Sequence, residues 1–248
     1  LASFGFAAKT PGYLIVPATA LVRRGSVSVL VTAALGRAPG PGDLPRTGAQ
    51  AVPLRASNPA LMHTEPGRMT QSQWRRAVNE LIESLRLGVA SKVVLTRDIV
   101  VHSEEELDER HLAKRLAQLY PSTWVFAVNG LIGATPEMLA ALDSGVVTSR
   151  VLAGTAAPSG GSALLASMKN RSEHHFAVES VARALAPLAD TLQVPAEPFL
   201  LRLPNVIHLA TEVTATVAQS NVPDIVDALH PTAAVCGTPT TFAVDLLD

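Results

Sequence analysis

MLAALDSGVVTSRVL, residues 138–152, is two apolar runs joined by Asp-Ser-Gly, and it reads as a β-hairpin. TWVFAVNGLIG, residues 123–133, just before it, also reads as strand, turn, strand. Hairpins pair their strands antiparallel, and helical patterns lie between these ones. That combination argues for an α/β protein of the α+β kind, with antiparallel sheets, and against a doubly wound parallel sheet. No G-x-G-x-x-G follows a strand, and no P-loop is present.

Residues 10–50 add more β pattern. YLIVP and SVSVLVTAAL are apolar and β-branched, and APGPGDLPRTG (38–48) is a loop by composition. The first helix is expected over 71–87. Thr70 and Gln73 make a capping-box pattern, and Trp74, Val78, Leu81, Ile82 and Leu85 share one face. Gly88 suits the position just past its end. A second helix is expected over 108–119, with Leu112, Leu116 and Leu119 on one face. The longest helical pattern covers 163–189. Its core stripe is Val178, Val181, Ala182 and Leu185. Lys169, Glu173, Phe176 and Ser180 form a second stripe nearly opposite. This second stripe reads either as a solvated face or as a face covered by other structure.

SKVVLTRDIV, from Ser91, reads as one strand headed by Lys92. An ammonium there is either a solvated strand end or a base at the edge of a pocket. At the other end of the chain, Thr238 is placed to cap a helix with Pro239 in its first turn. The sequence stops as that amphipathic pattern begins, so the natural protein is expected to continue past Asp248.

The chain has 248 residues, 48% hydrophobic and 17% charged, with a net charge of −1. This composition fits a folded globular protein and gives no electrostatic case for nucleic acid. The single cysteine, Cys236, excludes an internal disulfide framework and a cysteine-cluster metal site. No apolar run approaches the ~20 residues of a membrane helix. A cytoplasmic protein is the default expectation.

Four segments carry chemistry-bearing residues: SKVVLTR (91–97), GATPEMLAAL (133–142), LAGT with KNRSEHHFAV (152–178), and PNVIHLAT with LHPTAAVCGTP (204–239). In this order they resemble the chorismate-utilising enzymes, which include isochorismate, salicylate, anthranilate and aminodeoxychorismate synthases. The resemblance runs from about Trp74 to Asp248 and is greatest to isochorismate synthases.

The resemblance implies two facing antiparallel sheets with helices outside, in a single domain over 1–248. Residues 1–65 would be a β-rich N-terminal portion, and 66–248 would carry the motifs. It implies isomerase activity: water adds at C2 of chorismate and the C4 hydroxyl leaves, in a menaquinone or siderophore pathway. Lys92 would be the base and Glu137 the acid. Both roles need unusual protonation states at neutral pH. Glu173 would bind Mg²⁺, with a partner carboxylate in a later segment of the family pattern. Gly154, Thr155, His208, His230, Ala234 and Val235 would line the substrate site. His208 and His230 also read as structural hydrogen-bonders, and Cys236 as a buried small residue. Lys92 favours water over ammonia as nucleophile, so no glutaminase subunit is expected, and a monomer is. Ala234-Val235 favours release of isochorismate over onward conversion to salicylate. A non-catalytic protein of the same fold is the rival from another class.

Overall fold

The computed structural model describes residues 2–3, 13–44, 53–56 and 62–247. Its contacts divide the chain into two compact units, Leu1–Leu54 and Arg55–Asp248.

In the first unit, β1 (Ala2–Ser3) pairs with β2 (Tyr13–Leu14). β3 (Thr19–Arg24) and β4 (Val27–Thr32) form a hairpin with Arg24 opposite Val27. Gly25 supplies the positive φ (60°) of its turn. The expected loop contains a 3₁₀ turn, Pro41–Asp43, at which Arg37 donates to Asp43 Oδ2 over 2.7 Å. Residues 45–48 of that loop lie outside the described residues.

The second unit begins with β5 (Met62–Pro66) and α1 (Gln71–Arg86). The capping box forms as expected. Gln73 N–H donates to Thr70 Oγ1 (3.3 Å), and Thr70 N–H donates to Gln73 Oε1 (2.9 Å). SKVVLTRDIV is not one strand. It splits into β6 (Lys92–Val93) and β7 (Ile99–Ser103), because the two halves have different partners: β7 pairs with β5, and β6 pairs with a segment near the end of the chain. α2 (Glu109–Leu119) follows, capped by Asp108. The Arg110 side chain and two backbone N–H groups, of Arg55 and Arg110, hold the Asp108 carboxyl well below the usual range.

β8 (Trp124–Val128) and β9 (Leu131–Thr135) form the first expected hairpin. β10 (Met138–Asp143) and β11 (Val146–Ala156) form the second. Ser144 and Gly145 make its two-residue turn, both with positive φ (50° and 79°).

The pattern over 163–189 resolves into α3 (Gly161–Ala166), α4 (Met168–Leu185) and a 3₁₀ turn, Ala186–Leu188. Ser167 breaks it. It is extended (ψ 110°) and caps α4, its Oγ accepting from Asn170 N–H at 3.3 Å. β12 (Thr191–Gln193), β13 (Phe199–Arg202) and β14 (Ile207–Thr216) follow. β11 pairs with β14 from Val146↔Thr216 to Ala156↔Ile207, and β12 and β13 both pair with β14. The sheet order is β10-β11-β14-β12, all antiparallel.

α5 (Val222–Leu229), β15 (Gly237–Thr238) and α6 (Thr240–Leu247) complete the unit. Thr238 therefore pairs as a strand residue and does not cap. α6 starts two residues later, with Ala243 N–H donating to Pro239 O at 3.0 Å. Among the described residues, no helix is long and apolar enough to cross a membrane.

The main core lies between the sheet and helices α4 and α5. Val147, Val151 and Val213 of the strands meet Val178, Val181, Leu185, Ile225 and Leu229 of the helices. Leu185 is fully buried. Leu185→Ala is expected to lower unfolding free energy by about 3 kcal/mol, read from the shift in the urea unfolding midpoint.

Candidate active site

Lys92 occupies the first position of β6, and its side chain is 11% exposed. Its Nζ is buried without a hydrogen-bond partner, and it faces the Glu173 carboxylate, with Oε1 3.9 Å away. Burial pushes the ammonium pKa down, and the carboxylates of Glu173 and Glu137 oppose this. A buried donor without a partner is costly.

Glu137 stands at the head of β10, after Pro136. Its N–H donates to Thr135 Oγ1 (3.1 Å), which fixes the turn. Its Oε1 accepts a long bond from Leu152 N–H (3.5 Å) on β11. Burial pushes the Glu137 pKa up, and the Leu152 N–H and Lys92 work against it. Lys92 and Glu137 are thus each biased toward neutrality by desolvation.

Glu173 lies on α4. Of its stripe, Lys169 is exposed, while Glu173, Phe176 and Ser180 are half-buried. Phe176 and Ser180 line a cavity of about 470 Å³ with Ser91, Thr238, Pro239 and Thr240. The covered-face reading therefore holds for this part of the helix.

Beside Glu173, His174 points the other way, into the core, and is 4% exposed. Its Nδ1–H donates to Ala153 O (3.2 Å), and its Nε2 accepts from the Thr211 hydroxyl (2.7 Å). The carbonyl can only accept, so it sets the tautomer. Burial lowers the His174 pKa. The ring ties α4 to both central strands, β11 and β14, and so sets which way Glu173 faces.

β11 also carries Gly154 and Thr155. The β11–β14 register shifts between Ala153 and Thr155, where Gly154 has φ +81°. A Cβ there would lie 3.2 Å from Asn170 Cβ, so both conformation and space favour glycine. Thr155 Oγ1 meets His208 Nδ1 at 2.9 Å across the ladder. Burial lowers the His208 pKa, against a hydrogen bond to the Gly154 backbone.

The structure thus gathers two groups along β11. Lys92, Glu137 and Glu173 form one, and Gly154, Thr155 and His208 form the other. Elsewhere, His230 sits at the C-terminus of α5, with its N–H donating to Val226 O (2.8 Å). Ala234 packs on the main core, and Val235 is 42% exposed. Cys236 is fully buried, as expected.

Two features escaped the sequence reading. His174 stands four residues before Val178, on the apolar stripe of α4, and a polar residue at that spacing was the available signal. Arg150 lies directly opposite Glu212, its Nε donating to Glu212 Oε1 (2.9 Å), with its guanidinium 5.2 Å from the Trp124 ring centroid. Register created that contact, and no local pattern announces it.

Magnesium needs a near-octahedral shell of oxygens. Among the described residues, no group of three or more His, Cys, Asp or Glu side chains is placed to hold a metal ion. Glu173 offers one carboxylate, with a lysine beside it. The described residues do not by themselves fit a magnesium site.

The family model for chorismate binding enzymes matches residues 43–248. The chain belongs to the chorismate binding enzyme family. One family relative is the salicylate biosynthesis isochorismate synthase of Pseudomonas aeruginosa. It is 34% identical over 188 residues, covering 71% of this chain and 39% of that one. The isochorismate synthase DhbC of Bacillus subtilis is 31% identical over 191 residues, covering 68% and 48%. The solved structure of DhbC from Bacillus anthracis superposes with a TM-score of 0.71 at 31% identity, over 78% of this chain and 56% of that one. The chain spans about half the length of the curated relatives it matches. Its mixture of helices and antiparallel sheets is thus the α/β fold of chorismate-utilising enzymes.

Proposed function

We propose that the protein is an isochorismate synthase, converting chorismate to isochorismate. The observation that carries this reading is the desolvated Lys92 Nζ, buried without a hydrogen-bond partner and electrostatically coupled to Glu137.

Lys92, as the free amine, takes a proton from water as the water oxygen bonds to C2. The ring double bonds shift, and the C4–O bond breaks. Glu137, as the neutral acid, gives its proton to the departing hydroxyl, which leaves as water. One water enters and one leaves, so the net change is an isomerisation. Afterwards Lys92 holds one proton more and Glu137 one fewer, and exchange with solvent resets both. Thr155 and His208 offer hydrogen-bonding groups to a polar substrate.

The test is to incubate the full-length protein with chorismate, with Mg²⁺ and separately with EDTA, and to separate the products by chromatography. Isochorismate is the expected product. Salicylate plus pyruvate would make the protein a salicylate synthase, the second reading, which the name of the Pseudomonas relative brings forward. Unchanged chorismate in both incubations would overturn the catalytic reading and favour a non-catalytic member of the family. The products feed menaquinone or siderophore biosynthesis in this reading.

A further inference from the structure

Lys92 sits on a strand of two residues, and β15 is its ladder partner. Thr238 lies opposite Lys92, and Gly237 lies opposite Val93. Two backbone bonds flank the pair: Ser91 N–H to Thr238 O and Val94 N–H to Cys236 O, both 2.8 Å. The approach is closer than a side chain allows. A Cβ on Gly237 would lie 2.3 Å from the Lys92 carbonyl oxygen, 3.2 Å from its carbonyl carbon and 2.6 Å from Ala243 Cβ on α6. One obstacle is backbone and the other a Cβ, and neither can swing aside as the tip of a long side chain would.

We propose that Gly237 is a positioning residue for Lys92. Its missing side chain lets β6 seat against β15, and that seating sets the depth of the Lys92 ammonium. The side chain itself provides little anchorage: Nζ has no hydrogen-bond partner, and Glu173 is 3.9 Å away. Placement of Lys92 is therefore delegated to its backbone. A methyl group at 237 is blocked on the other side by Ala243, which is fully buried, so β6 is the element that must move. The catalytic part of this inference rests on Lys92 being the base; the structural part does not.

The test reads Lys92 directly. The full-length protein is acetylated with limiting acetic anhydride, and labelling of Lys92 relative to exposed Lys169 is measured by mass spectrometry. Lys92 is expected to label far more slowly than Lys169 in the wild type. In Gly237→Ala, the Lys92 rate rises toward that of Lys169, and kcat for chorismate falls about a hundredfold while KM stays nearly constant. Gly42→Ala, where an added Cβ meets nothing within 4 Å, should leave both measurements unchanged. Unchanged Lys92 labelling in Gly237→Ala would overturn the proposal. Gly237→Ala/Ala243→Gly, which opens the blocked side, should bring Lys92 labelling back toward the wild-type rate. If Gly237→Ala fails to fold, Val94→Pro loosens the same seating from the β6 side, removing the Val94 N–H bond to Cys236 O and restricting the Val93 backbone. Its Lys92 must then label faster, and slow labelling overturns the proposal. A wild type inactive on chorismate would sink the functional reading while leaving the labelling test intact.

Discussion

Lys92→Ala is expected to lower kcat for isochorismate formation by about a thousandfold or more, with KM for chorismate nearly unchanged. A general base acts in the transition state, so its loss appears in kcat and not in ground-state binding. Wild-type kcat in this variant would remove Lys92 from the role of base. The same side chain makes a second, opposite prediction. Its ammonium is desolvated and has no hydrogen-bond partner, so replacing it with an apolar group of similar length relieves the fold. Lys92→Met is expected to be inactive and more stable to urea than the wild type. The pH dependence has a definite sign. The folded pKa of Lys92 lies below its unfolded value of 10.5. Below the folded pKa the penalty of the buried charge is fully present. As pH rises from there toward 10.5, the folded protein sheds a proton that the unfolded chain keeps, and stability rises. That rise is present in the wild type and absent in Lys92→Met.

Glu137→Gln is the second large effect, with an expected loss in kcat of about a hundredfold to a thousandfold. The amide keeps the shape of the acid and an oxygen for the Leu152 N–H, but has no proton to give. The pH profile distinguishes this from a packing defect. With Glu137 protonated and Lys92 free as the working form, wild-type kcat should rise with pH to the Glu137 pKa and fall beyond the Lys92 pKa. Burial moves these two values toward each other. Narrowing the gap by one pH unit raises the working fraction about tenfold. In Glu137→Gln the descending limb should vanish, and the residual rate should climb until Lys92 loses its proton. A profile unchanged in shape would exclude Glu137 as the acid.

The sequence reveals local structure where one segment decides its own conformation. The Thr70 capping box, the hairpin at Asp143–Gly145 and the core stripe of α4 are all set by near neighbours. It fails where a distant partner decides. SKVVLTRDIV looks like one strand because its apolar spacing continues, but β15 and β5 claim its two ends. Ser167 interrupts a helical pattern because its hydroxyl caps the next helix. The site divides in the same way. The roles of Lys92, Glu137 and Glu173 come from the family resemblance; the residues alone read as a solvated strand end, a turn residue after Pro136 and part of a solvated helix face. Their desolvation, and the role of His174 in orienting α4, depend on packing that no short window contains.

The β6–β15 pair also has a consequence for how the protein is made. Lys92 and Thr238 lie near opposite ends of the second unit, so their ladder closes one of its longest loops. Loop closure of that length costs entropy that two ladder positions can repay only after the intervening sheet has drawn the ends together. On a ribosome, β10, β11 and α4 emerge well before Gly237. The central sheet and helix can thus form while Lys92 is still solvated and fully basic. The base acquires its chemistry late, when β15 arrives, so a nascent chain carries the fold before it carries the reactive amine.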